Sequence, residues 1–392
     1  TAIADGSVGS PSLANSGDDD TGIYFPAANT VGVVAGGTEQ FRFGSNPIPG
    51  GSKNLVQNGN FTVAQRGTVT SPADGDYLTD RWKNWQTTGG VVTVTQDASG
   101  VFAAFGTDTA MKIDVTTAES SVAAGDYFVV THPIEAQNLQ HLKYGLAGAE
   151  AITVSFCFQS PKSGTHYVAI YQADAARYIW RPFTVTSADT AEYFSLTFAG
   201  DTSGTINNDT GIGFNLYFPL MAGTDFEGGS DNTWASGAKY GAATMQNLLD
   251  NTANNIYIGL VQMEVGSVAT DFEFEDIGTT LAKAQRYFNR AASGDQVGLP
   301  PLAQTSTTAG YPTFQFPVQM RAKPSLSYSD LTHFGVNPGG AQQNPAGMPI
   351  SYGNNAMAWL EISWGSGAGS ANDACRFYTI SASATLDFIA EL

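Results

Sequence analysis

Asn54-Leu55-Val56-Gln57-Asn58-Gly59-Asn60-Phe61 and Gly259-Leu260-Val261-Gln262-Met263-Glu264-Val265-Gly266-Ser267 bracket the middle of this 392-residue chain. The first stretch runs on into Val63-Ala64-Gln65-Arg66-Gly67 and Asp80-Arg81-Trp82. The second runs into Ala269-Thr270-Asp271-Phe272-Glu273. Between them, β-type runs recur at 91–95, 111–115, 127–131, 152–158, 167–171, 193–198, 212–218 and 255–262, separated by clusters of Gly, Asp, Asn and Ser. Many short strands with regular turn signals predict a β-sandwich or jelly roll. Tyr171-Gln172-Ala173-Asp174 and Arg177-Tyr178-Ile179-Trp180-Arg181 read as one hairpin with acids, amides and aromatics at its tip.

The period changes after the second bracket. Leu281, Ala284, Gln285 and Phe288 form a helical stripe within 279–290, with Thr279 or Thr280 as the cap and Gly294 beyond the end. Strand patterns return at 313–316, 325–328, 357–363, 375–380 and 386–389. Before the first bracket, residues 1–50 are short segments split by glycine and too few for a core of their own. Their alternation at 30–34 and 39–43 suggests strands, and such a segment gains stability when identical chains close its edges. Residues 44–53 read as a turn-rich linker.

This order of motifs resembles bacteriophage tail fibres that carry a carbohydrate-binding-type jelly-roll module. The residues that carry the resemblance are the two brackets, Asp80-Arg81-Trp82, the run Gln285-Arg286-Tyr287-Phe288 and the following Phe316-Pro317-Val318-Gln319-Met320-Arg321. To these is added Asp18-Asp19-Asp20-Thr21-Gly22-Ile23-Tyr24 near the start. The resemblance implies a mostly β chain in four parts. They are an N-terminal intertwined shaft segment (1–50), a jelly roll (51–276), a short neck helix (277–294) and a C-terminal β-sandwich-like tip domain (295–392). It further implies a homotrimer in the virion, joined to other tail proteins through the N-terminal segment. The trimer would attach to host surface polysaccharide or lipopolysaccharide by multivalent, non-catalytic binding; the alternatives are a purely structural virion fibre or a polysaccharide-degrading tail spike. The chain starts at Thr1 without Met, which reads as a processed chain or fragment, and 1–50 is too short to include a tail-docking domain.

Composition narrows the alternatives. Charged residues are 13% of the chain and the net charge is −18. Residues 1–50 hold five acids and one base, and residues 277–392 hold six of each, so the middle carries most of the charge. A polyanion is repelled by the first two parts and not attracted by the third, which argues against nucleic acid. No stretch approaches 18 apolar residues, which argues against membrane insertion. Cys157 and Cys375 read as reduced thiols in cores.

No cofactor or metal is expected. His132, His141, His166 and His333 lack ligand spacing, and Asp18–Asp20 read as a solvated turn rather than a calcium loop. For catalysis, a glycosidase needs two opposed carboxylates. Glu135, Glu264, Asp271, Glu273, Glu275 and Asp276 are candidates; the alternation of Asp271, Glu273, Glu275 and Asp276 with Phe272 and Phe274 fits a solvated strand face, and the resemblance implies a structural role for Glu264 in a closing strand. No catalytic residue is assigned. For glycan binding the candidates are Trp85, Tyr171, Tyr178, Trp180, His333, Tyr352 and Trp364, because flat rings take the C–H faces of a pyranose. Trp82 and Trp234 are expected in packing roles.

Overall fold

A computed structural model describes residues 3–28, 30–43, 53–365, 370–371 and 373–392, with the side chains of 41–43 left aside. The expected linker falls almost wholly outside the described residues, as does part of the loop at 364–373. The chain forms two compact units, Thr1–Lys53 and Asn54–Leu392.

The first unit is an antiparallel meander of Leu13–Asn15, Asp18–Tyr24, Val31–Ala35 and Thr38–Phe43, paired in chain order. Asp18–Asp20 lie in a strand. Tyr24 and Val34 are its buried apolar side chains, while Leu13 and Ile23 stay exposed. The small core follows from length: a few short strands bury little apolar area.

The second unit is mostly β and opens with a jelly-roll sandwich. One sheet has seven strands, in the order Ala235–Ser236, Arg177–Val185, Gly164–Gln172, Ile212–Ala222, Tyr127–Glu135, Trp82–Thr87 and Tyr77–Thr79. The other has six, in the order Glu192–Phe198, Ile152–Gln159, Asn255–Val265, Ala110–Thr117, Val91–Asp97 and Val69–Thr70. Their inner faces enclose a core of Trp82, Ile113, Phe128, Val154, Phe156, Phe214, Leu216 and many others. The predicted strands are all present. Ile212–Ala222 and Asn255–Val265 are buried on both faces along most of their length. Each sheet carries a second apolar layer on its outside, one around Tyr217 and Trp180 and one around Phe102 and Cys157.

The brackets lie side by side. Leu55 N–H donates to the Met263 carbonyl at 2.8 Å. The Asn54 amide closes the pair: its nitrogen donates to the Val261 carbonyl (3.1 Å) and its oxygen accepts from Met263 N–H (3.0 Å). Gly59 must be glycine here, because a Cβ would lie 2.0 Å from the Val261 carbonyl oxygen. Trp82 is fully buried beneath this loop and its indole N–H donates to the Asn58 carbonyl at 3.3 Å.

The helix differs from expectation. It spans Ile277–Gln285, is capped by Asp276 accepting from Gly278 N–H, and gives way to a strand, Phe288–Ser293. That strand pairs with Thr385–Ile389, the middle strand of a three-stranded sheet completed by Ser325–Tyr328. The helix buries only Thr280 and Ala284. Continuing it would gain little apolar burial, whereas strand pairing places Phe288 and Ala292 in buried positions. The run 357–363 is likewise two strands, Met357–Leu360 and Ile362–Trp364, which both pair with Ala309–Gln315 but have different second partners, Ile350–Gly353 and Pro345–Gly347. The sheets of this C-terminal module enclose a separate core of Leu302, Phe314, Met320, Phe334, Leu360, Trp364 and Phe388.

The two modules of this unit meet through polar groups. Arg81, 1% exposed, donates to Glu391 at 2.9 Å and to the Pro133 carbonyl at 2.7 Å, with its guanidinium 3.5 Å from the centre of the Tyr287 ring. Arg66 also reaches Glu391 (2.8 Å) and lies over the Phe288 ring. Glu135 accepts from Arg286 twice at 3.1 Å and from the Tyr287 hydroxyl. Burial favours the protonated form of Glu135, but hydrogen bonds from Arg286 and Tyr287 outweigh it and hold the carboxyl below its usual range. Gln65 and Arg290 bond across the same joint. The motif residues Gln65, Arg66, Arg81, Arg286, Tyr287 and Phe288 therefore converge on one seam.

Candidate glycan-binding site

Strand alternation sorts the seven-stranded sheet into two faces. Trp82 points to the core, so Lys83 and Trp85 point outward. Cross-strand register then runs along one outer row: Lys83 faces Thr131, Thr131 faces Tyr217, Tyr217 faces Ala169, and Ala169 faces Trp180. The next row carries Asn215, Tyr171 and Tyr178. The outer face is thus aromatic across most of its width.

The segment 223–247 lies over part of this face. Its Phe226 and Tyr240 stack at 5.2 Å, and both rings pack on Tyr127. Tyr217 meets Tyr240 edge-on at 5.3 Å and stacks against Tyr171 at 6.4 Å. Trp180 and Tyr178 are each 5% exposed beneath this roof, and the Trp180 indole N–H donates to the Gly228 carbonyl at 2.8 Å. Tyr167 is engaged too, with its hydroxyl 2.6 Å from that of Thr244.

Four tyrosines stand apart. Among the described residues, the hydroxyls of Tyr127, Tyr171, Tyr217 and Tyr240 have no protein hydrogen-bond partner, and none of these oxygens is sealed from solvent. Burial pushes the Tyr217 phenol well above its usual range, and the neighbouring Tyr240, Tyr171 and Tyr127 add to the shift. Beside them Lys83 places its ammonium 4.0 Å from the Trp85 ring centre. Burial lowers the Lys83 pKa, partly opposed by Glu391 and Asp74. Lys83 also donates to the Leu392 carbonyl at 3.3 Å, and the Tyr77 hydroxyl donates to the same oxygen at 2.7 Å. The C-terminal residues therefore wall one side. Half-buried rings, four unclaimed hydroxyls and one cation thus gather on this partly roofed face, a set suited chemically to a hydroxyl-rich ligand.

Of the sequence candidates, Trp85 and Tyr171 belong to this outer aromatic layer and are half-buried, while Tyr178 and Trp180 pack under the roof. His333 is in a turn, with Nδ1 2.9 Å from Ser329 Oγ. Tyr352 is 58% exposed on the C-terminal module. Trp364 is a core residue, 3% exposed, donating to the Thr307 carbonyl at 3.0 Å. Sequence reading missed Lys83, Tyr127, Tyr217 and Tyr240. Tyr127 and Tyr217 fall inside predicted strands, but both faces of those strands are apolar, so alternation did not show which face was outward.

Five of the six carboxylates considered for hydrolysis are engaged in structural bonds. Besides Glu135, Glu264 accepts from Thr270 and Gln262, Glu273 accepts from Asn54 N–H, Glu275 pairs with Lys283, and Asp276 caps the helix. Among the described residues no group of three His, Cys, Asp or Glu is placed to hold a metal ion. Cys157 and Cys375 are buried and free, and burial pushes the Cys157 thiol up to about 12. No helix of the described residues is long and apolar enough to cross a membrane.

No protein-family model matches the sequence, and no curated protein matches it. Solved structures do. The enzymatically active domain of tailspike protein 4 of bacteriophage CBA120 is 13% identical with a TM-score of 0.30, over 54% of this chain and 21% of that one. This chain thus spans about a fifth of that tailspike's length. A family 4 carbohydrate-binding module is 14% identical with a TM-score of 0.29, over 54% of this chain and 99% of the module. The family 11 carbohydrate-binding module of Clostridium thermocellum, in complex with a β-1,3-1,4-mixed-linked tetrasaccharide, is 12% identical with a TM-score of 0.25. That match covers 52% of this chain and 98% of the module. Likeness at this level bears on neither ligand nor assembly.

Proposed function

We propose that this chain is a non-catalytic glycan-binding protein whose site is the tyrosine cluster on the outer face of the seven-stranded sheet. The observation that carries the reading is the set of four phenol hydroxyls, on Tyr127, Tyr171, Tyr217 and Tyr240, without a protein partner beside Lys83 and Trp85. The half-buried rings of Trp85, Tyr127 and Tyr171 can take a sugar's C–H faces, while the hydroxyl tips of the buried Tyr217 and Tyr240 can meet its hydroxyls. The order of sequence motifs extends the proposal to a phage fibre. Three chains would assemble in the virion, the N-terminal unit would meet the tail, and repeated weak sites would hold host polysaccharide or lipopolysaccharide.

Binding of the intact protein to lipopolysaccharide and capsular polysaccharides tests the site. Tyr171→Phe with Tyr217→Phe keeps the rings and removes two hydroxyls, and should weaken binding by about tenfold. Binding that is unchanged in the double variant removes the tyrosine cluster from consideration. Release of reducing sugar from any bound polysaccharide would replace the non-catalytic reading with an enzyme. Light scattering tests assembly, where a monomer at micromolar concentration rules out the trimeric fibre.

A further inference from the structure

The outer face of the C-terminal module carries aromatic rings that packing does not use. Tyr352 and Trp359 are direct cross-strand partners, on Ile350–Gly353 and Met357–Leu360. Their rings lie 5.5 Å apart, and they are 58% and 42% exposed. Trp359 in turn faces Thr313 on Ala309–Gln315, and Tyr311, half-exposed on that strand, lies diagonal to it. Ala358, Leu360 and Phe314, the alternating neighbours of these residues, are buried in the core. The rings therefore form a stripe across three strands, about 10 Å at the usual strand spacing.

The polar groups beside the stripe are unclaimed. Thr313, Gln315 and Glu361 alternate onto the same face, and none of their side chains has a hydrogen-bond partner among the described residues. The face carries one charge, Glu361, so it suits a neutral ligand. Its size argues against a contact between copies. Rings of this type bury roughly 150–250 Å² when fully covered. Three half-exposed rings thus offer a few hundred Å², below the roughly 800 Å² per partner of a stable protein interface.

We propose that Tyr352, Trp359 and Tyr311 form a second glycan platform, which takes a neutral pyranose chain flat on the rings while Gln315, Thr313 and Glu361 receive its hydroxyls. The platform is distinct from the tyrosine cluster and stands or falls without it. Two faces on one chain would let a single molecule grip a polysaccharide at two points.

The test uses the whole chain against cellohexaose, mannohexaose and smooth lipopolysaccharide, followed by tryptophan emission and by retention on immobilised polysaccharide. Trp359 is the tryptophan of the stripe, so a bound sugar should shift its emission; with Tyr171→Phe and Tyr217→Phe in place to weaken binding beside Trp85, Trp359→Phe should abolish most of the remaining shift. Trp359→Ala with Tyr352→Ala should weaken retention by at least tenfold, and Gln315→Ala by severalfold. Tyr171→Phe with Tyr217→Phe should leave the emission shift in place, which separates this site from the tyrosine cluster. The proposal is overturned by unchanged retention in the Trp359/Tyr352 and Gln315 variants, or by no response to any of the three probes. It is also overturned if Trp359→Ala, folded by near-ultraviolet circular dichroism, lowers the oligomeric state, since the stripe would then be a contact between copies.

Discussion

The jelly roll and the C-terminal module are both antiparallel β structures, yet they are built differently. The jelly roll uses strands of up to 11 residues around a core of Phe, Ile, Leu and Val with Met111, Met221, Met263, Tyr144 and Trp82, and its sheets carry extra apolar layers outside. The C-terminal module uses strands of three to seven residues, and its core leans on Met320, Met348, Trp364 and several Phe. The two cores do not merge. What joins them is the buried network of Arg66, Arg81, Glu135, Arg286 and Glu391. Apolar burial thus stabilises each module separately, and directional polar bonds set the geometry between them. Breaking a buried charge pair by removing one partner costs more than the pair itself contributes, because the other charge stays unpaired.

The largest effect should come from the joint. Arg81→Ala leaves Glu391 without one of its two guanidinium partners and should cost about 3–5 kcal/mol, read as a fall in urea midpoint. Arg81→Met with Glu391→Met should recover much of it. If the single variant is neutral, the modules are held together by something other than this network.

Glu135→Gln should follow, at about 1–3 kcal/mol, by weakening the bonds from Arg286 and Tyr287. Hydrogen exchange should rise at 286–293 and stay unchanged at 152–158. An equal rise in both segments would mean that the two modules unfold as one.

Acid should act next. His132 is buried against Trp82, and burial, then Arg81, holds its pKa well below the usual value. The folded state refuses a proton that the unfolded chain takes below about pH 6.5. Stability is therefore full above that pH and falls beneath it, by up to ~2 kcal/mol between pH 6.5 and 5. Glu135, also held low, adds its loss at still lower pH as it protonates. His132→Asn should flatten the first part of that slope, measured by thermal melts across pH.

The smallest effect belongs to the exposed stripe. Tyr352→Ala should change stability by no more than about 0.5 kcal/mol, although it weakens sugar retention. A larger loss would place Tyr352 in the core of its module rather than on its surface.

Much of this is legible in the sequence. Alternation of Phe156, Phe158 and Phe214 with small or polar neighbours, cut by Gly, Asp and Asn, marked the strands, because period and turn chemistry are local properties. The hairpin ending in Tyr178 and Trp180 was equally plain. The helix was readable only at its start. Its end at Gln285 depended on a strand almost a hundred residues away, Thr385–Ile389, offering partners to Phe288–Ser293. The candidate site was half legible. Trp85 and Tyr171 announced themselves as aromatics beside amides, but Trp364 has the same appearance in sequence and lies in a core.

The sequence by itself determined a β-rich chain with two bracketing segments, a C-terminal set of strands and a charge balance unsuited to nucleic acid. These rest on side-chain period, turn residues and counted charges, all of which act over a few neighbours. Only the tertiary structure decided that Arg66, Arg81, Arg286 and Tyr287 form one seam, that the 223–247 segment covers Trp180, and that four tyrosines without hydroxyl partners gather on one outer face. Those outcomes depend on register between strands far apart in the chain, and no local pattern encodes which face of a doubly buried strand will look outward.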